Sequence, residues 1–281
     1  MKILCLHGYG TNIEIMQYQL SGIMGGADPS WEFHFLQSET ECPAASPELE
    51  KIFSGPFYCW SRLFDAESIG AAHDLIEEAI DEHGPFTGVL GFSQGAAIMA
   101  SYVLEHAAAH PNEPLPFRFA IFCSPTIPCA ADQSYCRCVF GSLSAEQERY
   151  LRSGKDDRIA QLPEPVRLAI EEFVNVVKGA YSVTRESPNF YLDRPRHKIP
   201  CPLHPGLLNT RFRIPTLHLH GKEDLPGLTS CGLMMESFCD SKIRKTIQHT
   251  SGHDIPRSKP EVTRVLSAME WIIAQSELAC Q

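Results

Sequence analysis

The sequence contains fewer basic than acidic residues and has no dense basic cluster. Its 24 Lys and Arg residues stand against 34 Asp and Glu residues, which gives a formal charge of −10. The most basic stretch, residues 242–245, reads Lys-Ile-Arg-Lys and is typical of the solvated side of a short strand or helix. Because binding to a nucleic-acid backbone requires a basic face, we predict no nucleic-acid partner.

Long apolar runs are missing as well. Only four apolar residues separate Lys2 from His7, which is too short a run for the core of a secretory signal. The sequence contains no stretch that approaches the roughly 18 apolar residues of a membrane-spanning helix. We therefore expect a cytoplasmic protein with no membrane span.

The 11 cysteines lack the spacing of a metal site or a disulfide framework. Cys129, Cys136 and Cys138 come closest to a cluster, but they do not form the C-x-x-C pairs of structural zinc sites. His218 and His220 form an H-x-H pair without the further Asp and His of that metal-binding motif. An odd number of scattered cysteines favours free thiols in a chain of this length. We predict no metal and no other cofactor.

Short apolar segments alternate with segments of helical character along most of the chain. Strands are predicted at residues 2–6, 31–36, 86–92, 117–123, 216–220 and 243–248, and helices at 68–83, 94–106 and 260–275. Strands that alternate with helices at this spacing form a parallel sheet with helices on both faces. We therefore predict an α/β fold in which residues 1–281 form a single domain.

Two segments interrupt this alternation. Residues 38–65 are rich in Pro, Gly and aromatic residues and predict a long loop. Residues 126–214 are far longer than one crossover between strands requires. Helices are expected there at 144–151 and 165–181, whereas the prolines between 188 and 205 exclude long regular elements. We predict that residues 126–214 are a lid-like insertion over the sheet edge; the alternative is a crossover helix with loose surface loops.

A G-x-S-x-G motif occurs where a predicted strand meets a predicted helix. Residues 91–95 read Gly-Phe-Ser-Gln-Gly. Such a tight turn needs small residues on both sides of the serine, and it exposes the serine hydroxyl. The N-terminus of the following helix places partial positive charge beside this hydroxyl. Ser93 is therefore the predicted nucleophile; the alternative is a serine with only a structural role in the turn.

A serine nucleophile needs a base and a carboxylate that orients this base. In this kind of site they follow the serine in the order acid, then histidine. Asp224 and His253 each follow a predicted strand, at the edge where open α/β sheets collect their reactive groups. We predict Ser93, Asp224 and His253 as the catalytic residues. Of the neighbouring carboxylates Glu223 and Asp254, the latter is too close in sequence to reach Nδ1 of His253.

The first predicted strand ends in a loop that reads His-Gly-Tyr-Gly over residues 7–10. In sites of this type, one oxyanion-hole N–H comes from such a loop and another from the residue after the nucleophile. We predict Tyr9 and Gln94 as the two donors, with Gly10 as the alternative to Tyr9. His7 is expected to hold the loop by hydrogen bonds rather than to act as a base.

Aromatic residues are concentrated in the second half of the predicted loop at 38–65. Apolar and aromatic side chains line most small-molecule pockets, and we predict that several of these residues bind the acyl group of a substrate. Ordinary packing of a long loop is the alternative. The predicted substrate-binding residues are Phe57, Tyr58, Trp60 and Phe64.

Together these motifs resemble those of the fungal serine hydrolase family within the α/β-hydrolases. The similarity covers the opening LCLHGYGTN at residues 4–12, residues 58–60, the turn at 91–96, residues 220–224 and Gly252-His253. The resemblance implies an α/β-hydrolase fold with a mostly parallel central sheet flanked by helices. It also implies a triad of Ser93, Asp224 and His253. The length of residues 126–214 departs from the compact members of the family.

The resemblance also implies a role. Similar members of the family act in fungal secondary metabolism as thiohydrolases, which free a polyketide chain from its carrier-protein thioester. The expected function is therefore cleavage of an ester or thioester through an acyl-enzyme. The expected partners are a small acyl ester or thioester and the acyl carrier protein of a polyketide synthase. The alternatives are an acyltransferase or non-hydrolytic chain-release enzyme with the same site and, more distantly, a non-catalytic binding module.

Overall fold

A computed structural model of the protein describes residues 1–278 and contains a central sheet of six parallel strands. The strands are β1 (Lys2–Leu6), β2 (Glu32–Leu36), β3 (Thr40–Cys42), β4 (Phe57–Cys59), β5 (Gly88–Phe92), β6 (Phe119–Cys123), β7 (Thr216–Gly221) and β8 (Arg244–His249). The central sheet has the order β2-β1-β5-β6-β7-β8, and every neighbouring pair in it is parallel. The two remaining strands, β3 and β4, pair with each other.

Helices cover both faces of this sheet. They are α1 (Ile13–Gly26), α2 (Pro47–Ile52), α3 (Ala66–His83), α4 (Gln94–Ala109), α5 (Gln133–Phe140), α6 (Ala145–Ser153), α7 (Asp156–Ile159), α8 (Val166–Gly179), α9 (Tyr181–Thr184), α10 (Pro188–Leu192), α11 (Leu228–Ser237) and α12 (Lys259–Leu278). A 3₁₀ turn at Arg196–Lys198 follows α10. None of the helices within residues 1–278 is both long and apolar enough to cross a bilayer.

Successive side chains of each central strand point to opposite faces of the sheet. Leu4 and Leu6 of β1 belong to one buried cluster, which also contains apolar residues of α3, α4 and α8. Ile3 and Cys5 of the same strand belong to a second cluster, which contains residues of α1 and α12. Strands buried on both faces are apolar throughout, which is the pattern that the sequence shows at β1. The predicted α/β-hydrolase fold, with a parallel sheet flanked by helices, is confirmed.

The strands of the central sheet lie within two residues of their predicted bounds, but two flanking helices were not predicted. In α1, Gly22, Gly25 and Gly26 weaken the helical pattern because glycine is a poor helix former. Asn12 caps the N-terminus of this helix, because its side chain accepts a hydrogen bond from the N–H of Ile15 at 3.0 Å. The second unpredicted helix, α11, follows Gly227 and contains a further glycine.

Residues 38–65 do not form the long loop that we predicted. They contain the antiparallel pair β3 and β4, with α2 between the two strands. The pair also joins the loop after β1, because the N–H of Tyr58 donates to the oxygen of Thr11 at 2.8 Å. Strand pairing depends on partners distant in sequence, so the local composition of this segment did not reveal it.

Residues 126–214 form α5 to α10 and pack against the same face of the sheet as α3 and α4. The predicted helix at 144–151 is confirmed, and Ser144 and Gln147 form a capping box at its N-terminus. Arg194 donates to the buried carboxylate of Asp65 at 3.0 Å, which links this segment to the start of α3. That the segment opens and closes as a lid concerns its motion and stays a prediction.

Gly95 lies where α4 passes closest to the end of β1. A Cβ at this position would overlap the backbone carbonyl oxygens of Leu6 and His7, so the helix and the strand would have to separate. We expect Gly95→Ala to lower the free energy of unfolding by about 3 kcal/mol. Gly70→Ala in α3 is the matched control, because its Cβ would meet only the Cβ of Ala131, at 3.9 Å.

Urea unfolding of the two variants and the wild type measures this difference. In the control, alanine replaces glycine inside a helix, which stabilises by about 0.5–1 kcal/mol. Equal midpoints for Gly95→Ala and the wild type would contradict the close approach of α4 to β1.

Candidate active site

Ser93 lies in the tight turn that joins β5 to α4. Its backbone has φ 52° and ψ −114°, a conformation that residues other than glycine rarely adopt. Gly91 leaves room for this turn, because a Cβ there would lie 2.5 Å from the backbone nitrogen of Ala96. The turn places Ser93 at the carboxyl edge of the sheet and at the N-terminus of α4.

Asp224 follows β7 and His253 follows β8, and both side chains reach toward Ser93. Nε2 of His253 lies 3.0 Å from Oγ of Ser93, and its Nδ1 lies 2.7 Å from Oδ1 of Asp224. The ring of Phe92 packs against the imidazole, with 5.1 Å between the ring centroids. The structure thus brings the three predicted residues into one hydrogen-bonded chain, although Ser93 and His253 are 160 residues apart.

The carboxylate of Asp224 is more buried than the imidazole that it contacts, since the side chain of Asp224 is 3% exposed and that of His253 is 19% exposed. Burial by itself would raise the pKa of Asp224, but hydrogen bonds from His253 and from the N–H of Leu225 hold it below the ordinary value. Asp224 is therefore ionised at neutral pH. An ionised acceptor at Nδ1 favours the tautomer of His253 in which Nε2 accepts the hydroxyl proton of Ser93.

Asp254, the carboxylate next to His253, has other partners. Its Oδ1 accepts hydrogen bonds from Nε2 of Gln19 at 2.9 Å and from the N–H of Ile255 at 2.8 Å. Its Oδ2 pairs with Arg257. These contacts fix the loop that carries His253 and leave Nδ1 of the imidazole to Asp224.

The predicted oxyanion donors lie on opposite sides of Ser93, in the loop after β1 and at the start of α4. Among residues 1–278, the N–H groups of Tyr9 and Gln94 have no hydrogen-bond acceptor. The N–H of Gly10, the alternative donor, is engaged with the oxygen of Tyr58 at 2.9 Å. The geometry therefore favours Tyr9 over Gly10.

Buried side chains hold both donor segments in place. The indole N–H of Trp60 donates to the oxygen of His7 at 2.7 Å, and Oε1 of Gln94 accepts from the N–H of Trp60 at 2.9 Å. Burial lowers the pKa of His7 to about 4, so its ring is neutral and accepts from the N–H of Ser38 at 3.2 Å. These contacts agree with the structural role expected for His7.

The model of the family described as "Serine hydrolase (FSH1)" matches residues 1–265 of this chain. The chain belongs to the FSH1 serine hydrolase family. It is 48% identical to "Serine hydrolase cnsH" of Penicillium expansum over 84% of this chain and 97% of that protein. It is 34% identical to "Esterase alnB" of Emericella nidulans over 98% of each chain. The predicted family is confirmed, and the protein is a serine esterase.

A likeness to solved structures extends over nearly the whole chain at low sequence identity. The esterase RhEst1 from a Rhodococcus species is 17% identical, with a TM-score of 0.48 over 98% of this chain and 90% of that one. Such an overlap is a similarity of overall architecture and bears on no individual residue of this FSH1 serine hydrolase.

Ser93 of this FSH1 serine hydrolase lies between two cavities, which we call the inner cavity and the outer groove. The inner cavity has a volume of about 50 Å³ and extends beneath α8 to α10; the outer groove, of about 580 Å³, runs along α1 and α2. The residues that line both are Tyr9, Ser93, Val183, Leu225 and His253.

Only one of the four aromatic residues predicted to bind substrate lies at either cavity. Phe64 lines the inner cavity, whereas Phe57, Tyr58 and Trp60, all within the described chain, line neither cavity. Tyr58 pairs with the loop after β1, and Trp60 is buried against His7. That these three residues bind substrate stays a prediction.

Most of the inner cavity is lined by residues that the sequence did not single out as a site. Phe173, Val176 and Val177 belong to α8, and Tyr191 belongs to α10. The only signal in the sequence was the apolar stripe of α8, which predicts a buried helix face but not a cavity beside it.

The residues considered for a metal do not assemble into a site. Cys129 is buried, Cys136 is half-buried and Cys138 is exposed. His218 stacks on Phe122 inside the sheet, with 5.0 Å between the ring centroids. Within residues 1–278, no three His, Cys, Asp or Glu side chains are positioned to hold a metal ion.

Proposed function

We propose that Ser93, His253 and Asp224 form the catalytic triad of this esterase and cleave an ester or thioester through an acyl-enzyme. The observation that carries the proposal is the hydrogen-bonded chain from Oγ of Ser93 through the imidazole to the carboxylate, at 3.0 and 2.7 Å. In such a chain the imidazole acts as the base, and the carboxylate holds its tautomer and stabilises its cation.

In the first half of the reaction, Oγ of Ser93 attacks the substrate carbonyl carbon while Nε2 of His253 takes the hydroxyl proton. The carbonyl π electrons move to oxygen and form a tetrahedral oxyanion. The oxyanion collapses, the bond from carbon to the leaving oxygen or sulfur breaks, and His253 returns its proton to the leaving group. The products are a free alcohol or thiol and an acyl ester on Ser93.

In the second half, water replaces the leaving group. His253 takes a proton from water while the hydroxide oxygen bonds to the acyl carbon and forms a second oxyanion. When this oxyanion collapses, the bond to Oγ breaks and the proton passes from His253 to Ser93. The carboxylic acid is released and Ser93 is restored.

The proposed oxyanion donors are the backbone N–H groups of Tyr9 and Gln94. Both residues line the inner cavity beside Ser93, and Gln94 begins α4, whose N-terminus favours negative charge. In comparable hydrolases one such donor lowers the barrier by about 3–4 kcal/mol. The same two groups would serve both oxyanions, because both form on the same carbonyl.

We further propose that the natural substrate is an acyl chain held as a thioester on a carrier protein. The resemblance to fungal thiohydrolases supports this proposal. The outer groove supports it as well, because it is far larger than the inner cavity and its rim reaches solvent at Tyr18 and Ile52, which are 52% and 72% exposed. A carrier protein stays outside the enzyme and needs such an open approach to the serine.

Covalent labelling with a fluorophosphonate tests the assignment of the nucleophile. Oγ of an activated serine attacks phosphorus and displaces fluoride, so the protein gains the mass of the probe without fluoride. We expect one adduct in intact mass spectra, on the peptide that contains Ser93. A folded protein that stays unlabelled, or carries the adduct elsewhere, would contradict the proposed triad and favour a binding module.

A further inference from the structure

We propose that the two cavities at Ser93 divide the substrate: the inner cavity takes a short, uncharged acyl group, and the outer groove takes the leaving group. This inference rests on the proposed function, since it concerns the two substituents of a carbonyl attacked by Ser93. The cavities share the residues around the reacting carbon, and otherwise their walls differ in size, charge and exposure.

The inner cavity is small and mostly apolar, and none of its lining residues is exposed. Its wall includes Phe173 and Tyr191, each 1% exposed, whose rings form a triangle with Phe64 at centroid distances of 5.5 to 6.2 Å. Within residues 1–278, no Asp, Glu, Lys or Arg lines it. A charged group would lose its hydration there without gaining a partner, so the group that enters must be uncharged.

The size of the inner cavity sets a limit on this group. A volume of about 50 Å³ has room for about four water-sized groups. An acyl chain of butyryl to hexanoyl length fills such a space, and a chain of dodecanoyl length does not fit in it. The methyl end of a longer chain would have to displace buried side chains of α8 or α10.

The outer groove has the opposite character. It is lined by Glu48, Asp254 and Arg257 as well as by apolar residues, and its rim is exposed at Tyr18 and Ile52. An amphipathic group of considerable length can lie there with its far end in solvent. The groove therefore suits a leaving group whose identity varies or that is attached to a larger molecule.

The order of the two chemical steps decides which substituent occupies which cavity. The acyl group stays on Ser93 after the first step, whereas the leaving group must depart before water attacks. A leaving group in the small, mostly buried inner cavity would be hindered by the acyl-enzyme on its way to solvent. If it lies in the outer groove instead, it leaves directly to solvent, and water enters by the same route.

Two substitutions that lie two residues apart test this division. Ala180 lines the inner cavity and Ser182 lines the outer groove, so Ala180→Leu and Ser182→Leu each add a leucine side chain to one cavity. The substrates are p-nitrophenyl esters with acyl groups from acetyl to dodecanoyl. A second series pairs one butyryl group with p-nitrophenol, 4-methylumbelliferone or the thiol of pantetheine.

For the wild type we expect kcat/KM to peak at butyryl or hexanoyl and to fall at least about tenfold at dodecanoyl, since one methylene too many costs 10- to 200-fold in a tight pocket. Ala180→Leu should lower kcat/KM for hexanoyl at least about tenfold while acetyl hydrolysis stays near the wild-type rate. Ser182→Leu should keep the wild-type order of acyl lengths. The factor by which it changes kcat/KM should differ between the three leaving groups.

A wild type that prefers dodecanoyl, an Ala180→Leu variant with the wild-type order of acyl lengths, or a Ser182→Leu variant with a changed one would overturn the inference. Val177→Ala, which enlarges the inner cavity, supplies the opposite test and should move the optimum to longer chains. Fluorophosphonate labelling of each variant separates the two proposals. If Ser93 is labelled in a variant whose acyl preference equals that of the wild type, only the division of the substrate between the cavities is contradicted. If the wild type is not labelled, the proposed function is contradicted.

Discussion

Ser93→Ala is expected to abolish ester hydrolysis, with a fall in kcat on the order of 10⁶-fold. In serine hydrolases, removal of the nucleophile or the base alone lowers kcat about as much as removal of the whole triad. Without Oγ, the imidazole of His253 has no bound nucleophile to deprotonate, and no acyl-enzyme forms. Hydrolysis of p-nitrophenyl butyrate, followed by absorbance, measures the loss.

Ser237→Ala is the matched control for this change. Ser237 is exposed at the end of α11, where its hydroxyl donates only to the oxygen of Leu233 at 3.0 Å. We expect this variant to retain wild-type kcat. If Ser93→Ala kept more than about one hundredth of the wild-type rate while thermal melts showed a folded protein, a different group would have to be the nucleophile.

Asp224→Asn is expected to lower kcat by about 10⁴-fold while the protein stays folded. The side-chain amide of asparagine has nearly the same shape as the carboxylate, but its NH₂ group cannot accept the proton on Nδ1 of His253. The imidazole then carries its proton on Nε2, facing Ser93, and cannot act as a base. KM should change far less than kcat, because neither cavity is lined by Asp224.

Asp254→Asn separates this effect from a general disturbance of the histidine loop. Asp254 lies beside His253 in sequence but hydrogen bonds to Gln19, Ile255 and Arg257. Its replacement weakens these contacts and should change kcat within about tenfold. Similar losses from the two variants would mean that the orientation of the loop, rather than the tautomer of His253, limits the reaction.

The fold could be predicted from the sequence because its main elements are patterned locally. Buried parallel strands such as β1 and β5 are short apolar runs bounded by glycine or polar residues, and periodicity identifies them without knowledge of their partners. Pairing between β3 and β4 and the helix α1 were not predicted. The first depends on residues that are distant in sequence, and the second on an N-cap at Asn12 that offsets three glycines.

The candidate site also has a part that could be predicted from the sequence and a part that could not. Ser93, Asp224 and His253 stand in sequence contexts that follow from their chemistry, namely a tight turn and two loops at strand ends. The walls of the cavities have no such signature, because any apolar helix face looks the same whether it packs on a core or borders a cavity. Phe64 was therefore singled out together with Trp60, although Trp60 is buried against His7.

The position of residues 126–214 bears on how enzymes of this kind diverge. This segment supplies more than half of the residues that line the inner cavity, Phe173 and Tyr191 among them, and none of Ser93, Asp224 or His253. Its length and sequence can therefore drift while the hydrogen-bonded chain at the sheet edge stays intact. Substitutions in this one segment can therefore change the acyl specificity of an enzyme during evolution while every intermediate form stays active.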